Sequence, residues 1–235
     1  MNPVPGCLRR LRLAAAVLSV ASLWGCAIQP VEPFDYAPFR AARPASVLVL
    51  PPINRSSDIA APAAVWAQAA WPLAEAGYYV LPATLVAETF RNNGLTVAED
   101  VHQVAPAKLR EIFGADAALS LTITRYGVVY TLFDSQVVVS VQARLLDLRS
   151  GQELWTGQAT ASDAGQNNSG GGGGGALLAA VISAAVKQVV NNLTDRSFPV
   201  AGLATRQLFQ PGPPRGVLYG PRSPLYGREG EKPGK

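Results

Sequence analysis

The stretch from Ser135 to Leu148 constrains the fold most, because its side chains alternate as only those of a β-strand do. Apolar residues face one side and polar residues the other, the apolar set being Val137, Val139, Val141, Ala143 and Leu145. A period of two residues is the signature of a strand with one buried face. The following segment 147–152 reads as a tight turn with Gly151 suited to positive φ, and Glu153 begins a returning strand that reaches Ala161. The pattern predicts an antiparallel hairpin.

Shorter patterns on both sides of this hairpin predict the other elements. The predicted strands are Ser46–Leu50, Tyr78–Leu81 and Ala117–Tyr126, and the predicted helices are Pro62–Ala76, Ala83–Asn93, a short one from Pro106, and Phe198–Phe209. Pro72 is expected to kink or split the first helix, and Leu85, Val86, Thr89 and Phe90 to share a face of the second. We therefore predict an α/β fold: a single domain over residues 46–210, with a mixed sheet, an antiparallel meander and flanking helices.

The first 25 residues resemble a lipoprotein signal peptide. Arg9, Arg10 and Arg12 precede an apolar stretch of about 12 residues, roughly 18 Å of helix, which is shorter than a membrane core of about 30 Å. The stretch ends in Leu23-Trp24-Gly25-Cys26, which resembles the bacterial lipobox, in which the cysteine receives a diacylglycerol. Leu23, Gly25 and Cys26 fit that motif and Trp24 departs from it. We expect lipidation at Cys26; the alternative is an ordinary signal peptide with an incidental cysteine.

Three further segments are defined by composition. Residues 26–45 contain four prolines and are predicted to be an extended tether, and the Pro/Gly-rich tail 211–235 is predicted to pack loosely. A Gly-rich linker, 163–175, precedes an apolar stretch, 176–193, that is predicted to be a helix. That helix either packs on the sheet or contacts a partner or a membrane surface.

Net charge argues against a nucleic-acid partner. The whole chain carries +4, but residues 1–25 hold three arginines without an acid, and residues 211–235 hold five basic residues against two acids. The segment 26–210 consequently has a net charge of −2. The basic balance thus belongs to the two ends of the chain rather than to a folded binding face.

No pattern in the chain predicts catalysis, a cofactor or a metal site. The single histidine, His102, follows Glu99 and Asp100 and is interpreted as a solvated loop residue rather than a base. The six glycines 170–175 match a dinucleotide-binding spacing trivially and are interpreted as a linker. Trp66, Trp71 and Trp155 are interpreted as core or interface anchors. We therefore predict that the protein is not an enzyme.

Several stretches together resemble one family. They are Val49-Leu50-Pro51-Pro52-Ile53-Asn54-Arg55-Ser56, Pro72–Val80, Glu88–Phe90 with Asn93–Thr96, Lys108–Ala117, Leu146–Gly151 with Leu154-Trp155, Leu193–Arg196 and Leu218–Arg222. Over roughly residues 34–228 the chain resembles a bacterial outer-membrane lipoprotein family of unknown function that includes a meningococcal vaccine-candidate surface lipoprotein. The resemblance implies a fold similar to the amino-terminal domain of the Tol-system translocation protein and the periplasmic domain of the curli-secretion lipoprotein.

The resemblance also implies partners and a location. It implies a lipid-anchored protein of the outer membrane, on its periplasmic or surface-exposed face, with a companion such as a curli-secretion-type lipoprotein. The favoured function is a non-enzymatic binding or assembly component of the envelope. The alternatives are a subunit of an oligomeric, curli-secretion-like outer-membrane complex, in which case the chain forms a homo-oligomer, and an envelope glycan enzyme. Catalytic residues are not established for the family, so none is carried over.

Overall fold

A mixed β-sheet organises the part of the chain that the computed structural model describes, which is residues 34–130, 135–163 and 196–228. Its strands are β1 (Ser46–Val49), β2 (Ile53–Asn54), β3 (Tyr79–Val80), β4 (Ala117–Tyr130), β5 (Ser135–Asp147) and β6 (Glu153–Ser162). The order is β3-β1-β4-β5-β6, and β2 also pairs with β4. β1 runs parallel to β3 and β4, whereas β4, β5 and β6 are antiparallel. The predicted mixed sheet with a meander is confirmed.

The helices of the described residues include four of the five predicted ones, and the fifth, 176–193, lies outside those residues. They are α1 (Ala37–Ala42), α2 (Ala61–Glu75), α3 (Ala83–Asn92), α4 (Ala98–Val101), α5 (Pro106–Phe113) and α6 (Ser197–Leu208). Pro72 lies inside α2 without dividing it. The predicted face of α3 is partly wrong: Val86 and Phe90 are buried, but Leu85 is 64% exposed. Within these ranges no helix has the length and apolarity needed to cross a membrane.

Two hydrophobic cores lie on opposite faces of the sheet. The larger core joins α1, α2 and α6 to the inward side chains of β1 and β4–β6, around Val65, Leu121 and Trp155. The smaller core joins α3, α4 and α5 to Leu48 of β1 and Ala118 of β4. Because this second set of helices contacts only the beginnings of β1 and β4, the described helices leave the second face of the meander uncovered.

Residues 211–228 pack against the domain, so the expectation of a loosely packed tail is wrong over that range. Val217 and Leu218 are buried, and the Tyr78 hydroxyl donates a hydrogen bond of 2.6 Å to the Leu218 carbonyl. The glycine content that suggested looseness instead permits close backbone approach. A Cβ atom on Gly220 would lie 2.5 Å from the carbonyl oxygen of Gly77.

The predicted extended tether is likewise wrong from residue 34 onward. Residues 37–42 form α1, and Tyr36 and Phe39 are 5% and 3% exposed. Two aromatic side chains three residues apart share one side of a helical turn, and burying them stabilises α1 despite the nearby prolines. Leu23, Gly25, Cys26, most of the Gly-rich linker and the predicted helix 176–193 lie outside the described residues.

Candidate functional site

The uncovered face of the meander carries hydroxyl and amide side chains. The alternation that sends apolar residues of β4, β5 and β6 into the larger core sends polar residues to the opposite side. These are Ser120, Thr122, Thr124, Ser140, Gln142, Thr156, Gln158 and Thr160. Neighbouring hydroxyls already pair across strands, Ser140 with Thr160 at 2.9 Å. The remaining donors and acceptors can bind a polar ligand.

A groove of about 1110 Å³ follows this face and the adjoining strand β6. His102 lies on one side, and the segment from Gln207 to Gly216 lies on the other. Arg144 and Glu153 form an exposed ion pair, 2.5 Å between Nε and Oε2, at one end of β6. Apart from Arg144 and Arg215, the groove is lined by uncharged groups and His102, so hydrogen bonding rather than charge dominates its chemistry.

β6 is an edge strand, and the groove runs along its residues 155–158. The Asp163 amide donates to the Val137 carbonyl, which makes Asp163 one of the residues whose backbone points toward β5. Since an antiparallel ladder alternates, Thr156, Gln158 and Thr160 direct their N–H and C=O groups away from β5. Among the described residues β5 is the only strand paired with β6.

The wall of the groove beside β6 is fixed by Trp155. Its Nε1 donates a 2.8 Å hydrogen bond to the Arg215 carbonyl, which holds the segment 210–216 beside the strand. The indole ring lies over Gly157, where an added Cβ atom would be 2.4 Å from Cζ2. Trp155 also packs against Phe209, with ring centroids 6.1 Å apart. These contacts give the groove a rigid wall.

The residues singled out from the sequence take scaffold positions. His102 is half-buried rather than solvated, and its Nε2 lies 2.9 Å from the Pro51 carbonyl oxygen. Trp66 donates to the Val49 carbonyl at 3.1 Å, and Trp71 is half exposed beneath the guanidinium of Arg206. His102 and Trp155 both line the groove. Anchoring, as predicted, describes the contacts of Trp66 and Trp155.

The groove does not contain the paired carboxylates of a glycosidase. None of its lining residues is Asp or Glu, and the described ranges hold no group of three His, Cys, Asp or Glu residues suited to a metal ion. Asp116 has a perturbed pKa, but it lies outside the groove. Burial raises the pKa of Asp116. Hydrogen bonds from Ala45 and Ser46 and the charge of Arg149 together lower it by more, so the net change is a decrease. Those bonds give Asp116 a scaffold role.

The sequence alone does not identify the edge of β6 as a site. The one pattern that points to it is the alternation of Thr156, Gln158 and Thr160 with the small residues Gly157 and Ala159. Such a strand offers polar groups on one side and little bulk on the other. Its position at the edge depends on the strand order, which the sequence does not state.

Comparisons with known proteins match this chain to one family of lipoproteins. Residues 34–222 match the family model described as "Putative lipoprotein GNA1162-like". A relative from Neisseria meningitidis serogroup B, "Putative lipoprotein NMB1124/NMB1162", is 47% identical over 210 residues, which cover 89% of this chain and 95% of the relative.

Solved structures match as well. The crystal structure of lipoprotein GNA1162 from Neisseria meningitidis is 49% identical, covers 63% of this chain and 100% of its own, and has a TM-score of 0.51. A PelC dodecamer from Paraburkholderia phytofirmans is 17% identical, covering 74% of this chain and 91% of its own, with a TM-score of 0.40. None of these descriptions indicates an enzymatic activity.

Proposed function

The chain belongs to the GNA1162-like lipoprotein family, and from this we propose that it is a lipid-anchored, non-enzymatic binding component of the outer membrane. The lipobox-like sequence Leu23-Trp24-Gly25-Cys26 supports Cys26 as the acylated residue. Buried acyl CH₂ groups contribute about 0.8 kcal/mol each, so two or three chains hold a protein firmly on a bilayer. The folded domain then acts from a fixed position on the membrane.

The open edge of β6 carries the proposal of a binding role. An exposed edge strand pairs with another extended chain unless charges, prolines or a covering element block it. β6 contains no proline or lysine, and Glu153 at its start is its one acid. The segment 210–216 is held beside the beginning of the strand at Trp155, and the groove separates it from Thr156 and Gln158. The groove leaves room along the strand, and polar side chains of the meander line one side of it. The occupant proposed here is an extended segment of another envelope protein, added as a further strand.

Affinity capture from solubilised envelopes tests this function. Gln158→Pro removes one outward-facing N–H without removing a hydrogen bond to β5, so the domain folds but the added strand loses a donor. We expect the wild-type chain to recover a specific partner and Gln158→Pro to lose it. Gln158→Ala is the matched control, because it removes the same side chain and keeps the N–H.

Two outcomes would contradict the proposal. One is reproducible recovery of no partner by the wild-type chain. The other is equal recovery by the wild-type chain and Gln158→Pro, provided that circular dichroism and thermal unfolding show both chains folded.

The alternative, a subunit of an oligomeric, curli-secretion-like complex, uses the same edge. Strand addition between copies of this chain would also satisfy the outward groups of Thr156, Gln158 and Thr160. Light scattering in detergent distinguishes the two: a strictly monomeric chain rejects the alternative and leaves a different protein as the occupant. The likeness of the fold to the curli-secretion and Tol-system domains, which the family resemblance implies, is likewise a proposal.

A further inference from the structure

Four exposed arginines collect at one end of the domain. Arg40 and Arg43 belong to α1 and its C-cap, whereas Arg215 and Arg222 belong to the C-terminal segment 211–228. α1 and that segment are joined directly, since the Tyr36 hydroxyl donates to the Gly216 carbonyl at 2.5 Å. The four residues therefore share one surface although they lie far apart in the sequence.

Contacts around this surface place the guanidinium groups near each other. The guanidinium carbon of Arg40 lies 5.7 Å from the centroid of the Tyr36 ring, and Arg215 directly precedes Gly216, whose carbonyl accepts the hydrogen bond of the Tyr36 hydroxyl. Arg222 donates to the Ala45 carbonyl at 3.4 Å, two residues beyond Arg43. The surface formed by Arg40, Arg43, Arg215 and Arg222 is called the cationic end below.

Few carboxylates offset the positive charge of the cationic end. Within the described ranges, none of its four arginines forms an ion pair, although Arg91, Lys108, Arg144, Arg149 and Arg196 each pair with a carboxylate. The acid Asp116 nearby is already paired with Arg149. Asp35 accepts a hydrogen bond from the amide of Ala37. The four arginines outnumber the exposed Asp35, so the surface keeps a net positive charge for an anionic partner.

An aromatic side chain and a cavity complete the surface. Tyr226 is 42% exposed and lines a cavity of about 290 Å³ together with Arg40 and Arg43. Tyrosine beside arginine is the composition that proteins place at the boundary between headgroups and acyl chains.

The position of the cationic end in the chain indicates which anionic surface it meets. α1 begins at Ala37, and Phe34 is eight residues beyond Cys26. Eight extended residues reach at most about 28 Å. If Cys26 is acylated, Phe34 stays within this reach of the bilayer surface, so the chain allows the cationic end to touch the headgroups. Once the charged surface touches the headgroups it is attracted by them, because this attraction acts within a Debye length of about 8 Å.

We propose that the cationic end rests on an anionic phospholipid surface, with Arg40, Arg43, Arg215 and Arg222 against the headgroups and Tyr226 at their boundary with the acyl chains. This inference rests on the proposed lipid anchor, to which it adds a second, electrostatic contact. One consequence is a preferred orientation: the sheet end holding the starts of β1, β4 and β6 faces the membrane, and the far end of β6 points away from it.

Vesicle co-sedimentation tests the inference without the anchor. The probe is phosphatidylcholine vesicles with or without phosphatidylglycerol, and the protein is the chain from residue 26 onward carrying Cys26→Ala. We expect binding only to vesicles that contain phosphatidylglycerol. The double variant Arg43→Gln/Arg215→Gln should bind about thirtyfold less, because each basic residue near a charged bilayer contributes about 1 kcal/mol. Neither side chain makes a described hydrogen bond, so the fold should persist.

The matched control is Arg55→Gln/Arg125→Gln. These two exposed arginines also lack a described ion pair, and Arg125 lies eight residues along β4 from Ala117, about 26 Å from the cationic end of that strand. The control should bind as the Cys26→Ala parent does. Equal weakening by both double variants, binding to phosphatidylcholine alone, or no binding at all would overturn the inference. Since the protein here is not acylated, these results are independent of whether Cys26 is lipidated in cells.

Discussion

At the scale of single residues, Asp116 joins three parts of the chain through one carboxylate. Its Oδ2 accepts hydrogen bonds from the amides of Ala45 and Ser46 and from the Ser46 hydroxyl, at 3.0 to 3.2 Å. Its Oδ1 accepts a 2.8 Å hydrogen bond from Arg149, beside the β5–β6 turn. Burial raises the pKa of Asp116, but these interactions lower it more, so its net pKa lies below the ordinary value of 3.8.

Because the pKa of Asp116 is lowered in the folded state, the stability that its carboxylate contributes depends on pH. The folded state holds the Asp116 proton more weakly than the unfolded state does, so the contribution is complete above pH 3.8 and is lost as the pH falls through the folded pKa. Asp116→Asn should lower the free energy of unfolding at neutral pH by about 1–3 kcal/mol. The variant should also lose less stability on acidification than the wild-type chain.

Urea unfolding at neutral pH and at successively lower pH values measures both effects. Asp100→Asn is the matched control, because Asp100 is exposed and its replacement should change neither quantity. An Asp116→Asn variant as stable as the wild-type chain at neutral pH, with the same acid dependence, would show that the carboxylate does not stabilise the fold.

At the scale of helices and strands, the sequence predicts the elements whose apolar residues repeat at a regular spacing and whose ends carry turn or cap residues. The alternation in β5, the turn with Gly151 at φ 74° and the Gly114 C-cap at φ 65° could all be anticipated, because each depends on local chemistry. α1 and β2 could not, since six and two residues carry too short a pattern. The packing of residues 211–228 depends on the distant Gly77 and Tyr78, and the edge position of β6 depends on strand order; neither is a local property.

The C-terminal segment should prove essential to the fold. Ending the chain after Gln210 removes the buried Val217 and Leu218, and it removes the carbonyl acceptors of Tyr36, Tyr78 and Trp155. Burying an aliphatic side chain contributes about 1.5–3 kcal/mol, so the truncation should cost at least about 3–6 kcal/mol or prevent folding. Thermal unfolding measures the loss. Ending the chain after Arg228 retains every contact described above and is the control; equal stability of the two truncated chains would refute this role.

At the scale of the whole molecule, neighbouring surfaces have different proposed tasks, and Arg215 belongs to two of them, the groove and the cationic end. The proposed anchor is Cys26, the cationic end is proposed to meet the headgroups, and the open edge of β6 is proposed to bind a partner. β6 leads from the cationic end toward the opposite end of the sheet. An occupant of the groove would therefore extend away from the membrane, in keeping with an envelope protein that presents a binding surface at a fixed height.

The central claim is that the chain is held in the envelope by acylation of Cys26, and the intact mass of the protein purified from membranes tests it most directly. We expect a chain that begins at Cys26 and carries the added mass of acyl groups, and a Cys26→Ala variant that is either uncleaved or released from the membrane fraction. Cys7→Ala is the matched control, because Cys7 lies in the predicted signal peptide, and it should give the wild-type mass. An unmodified wild-type chain, with Cys26→Ala unchanged in mature length and membrane partitioning, would contradict the claim.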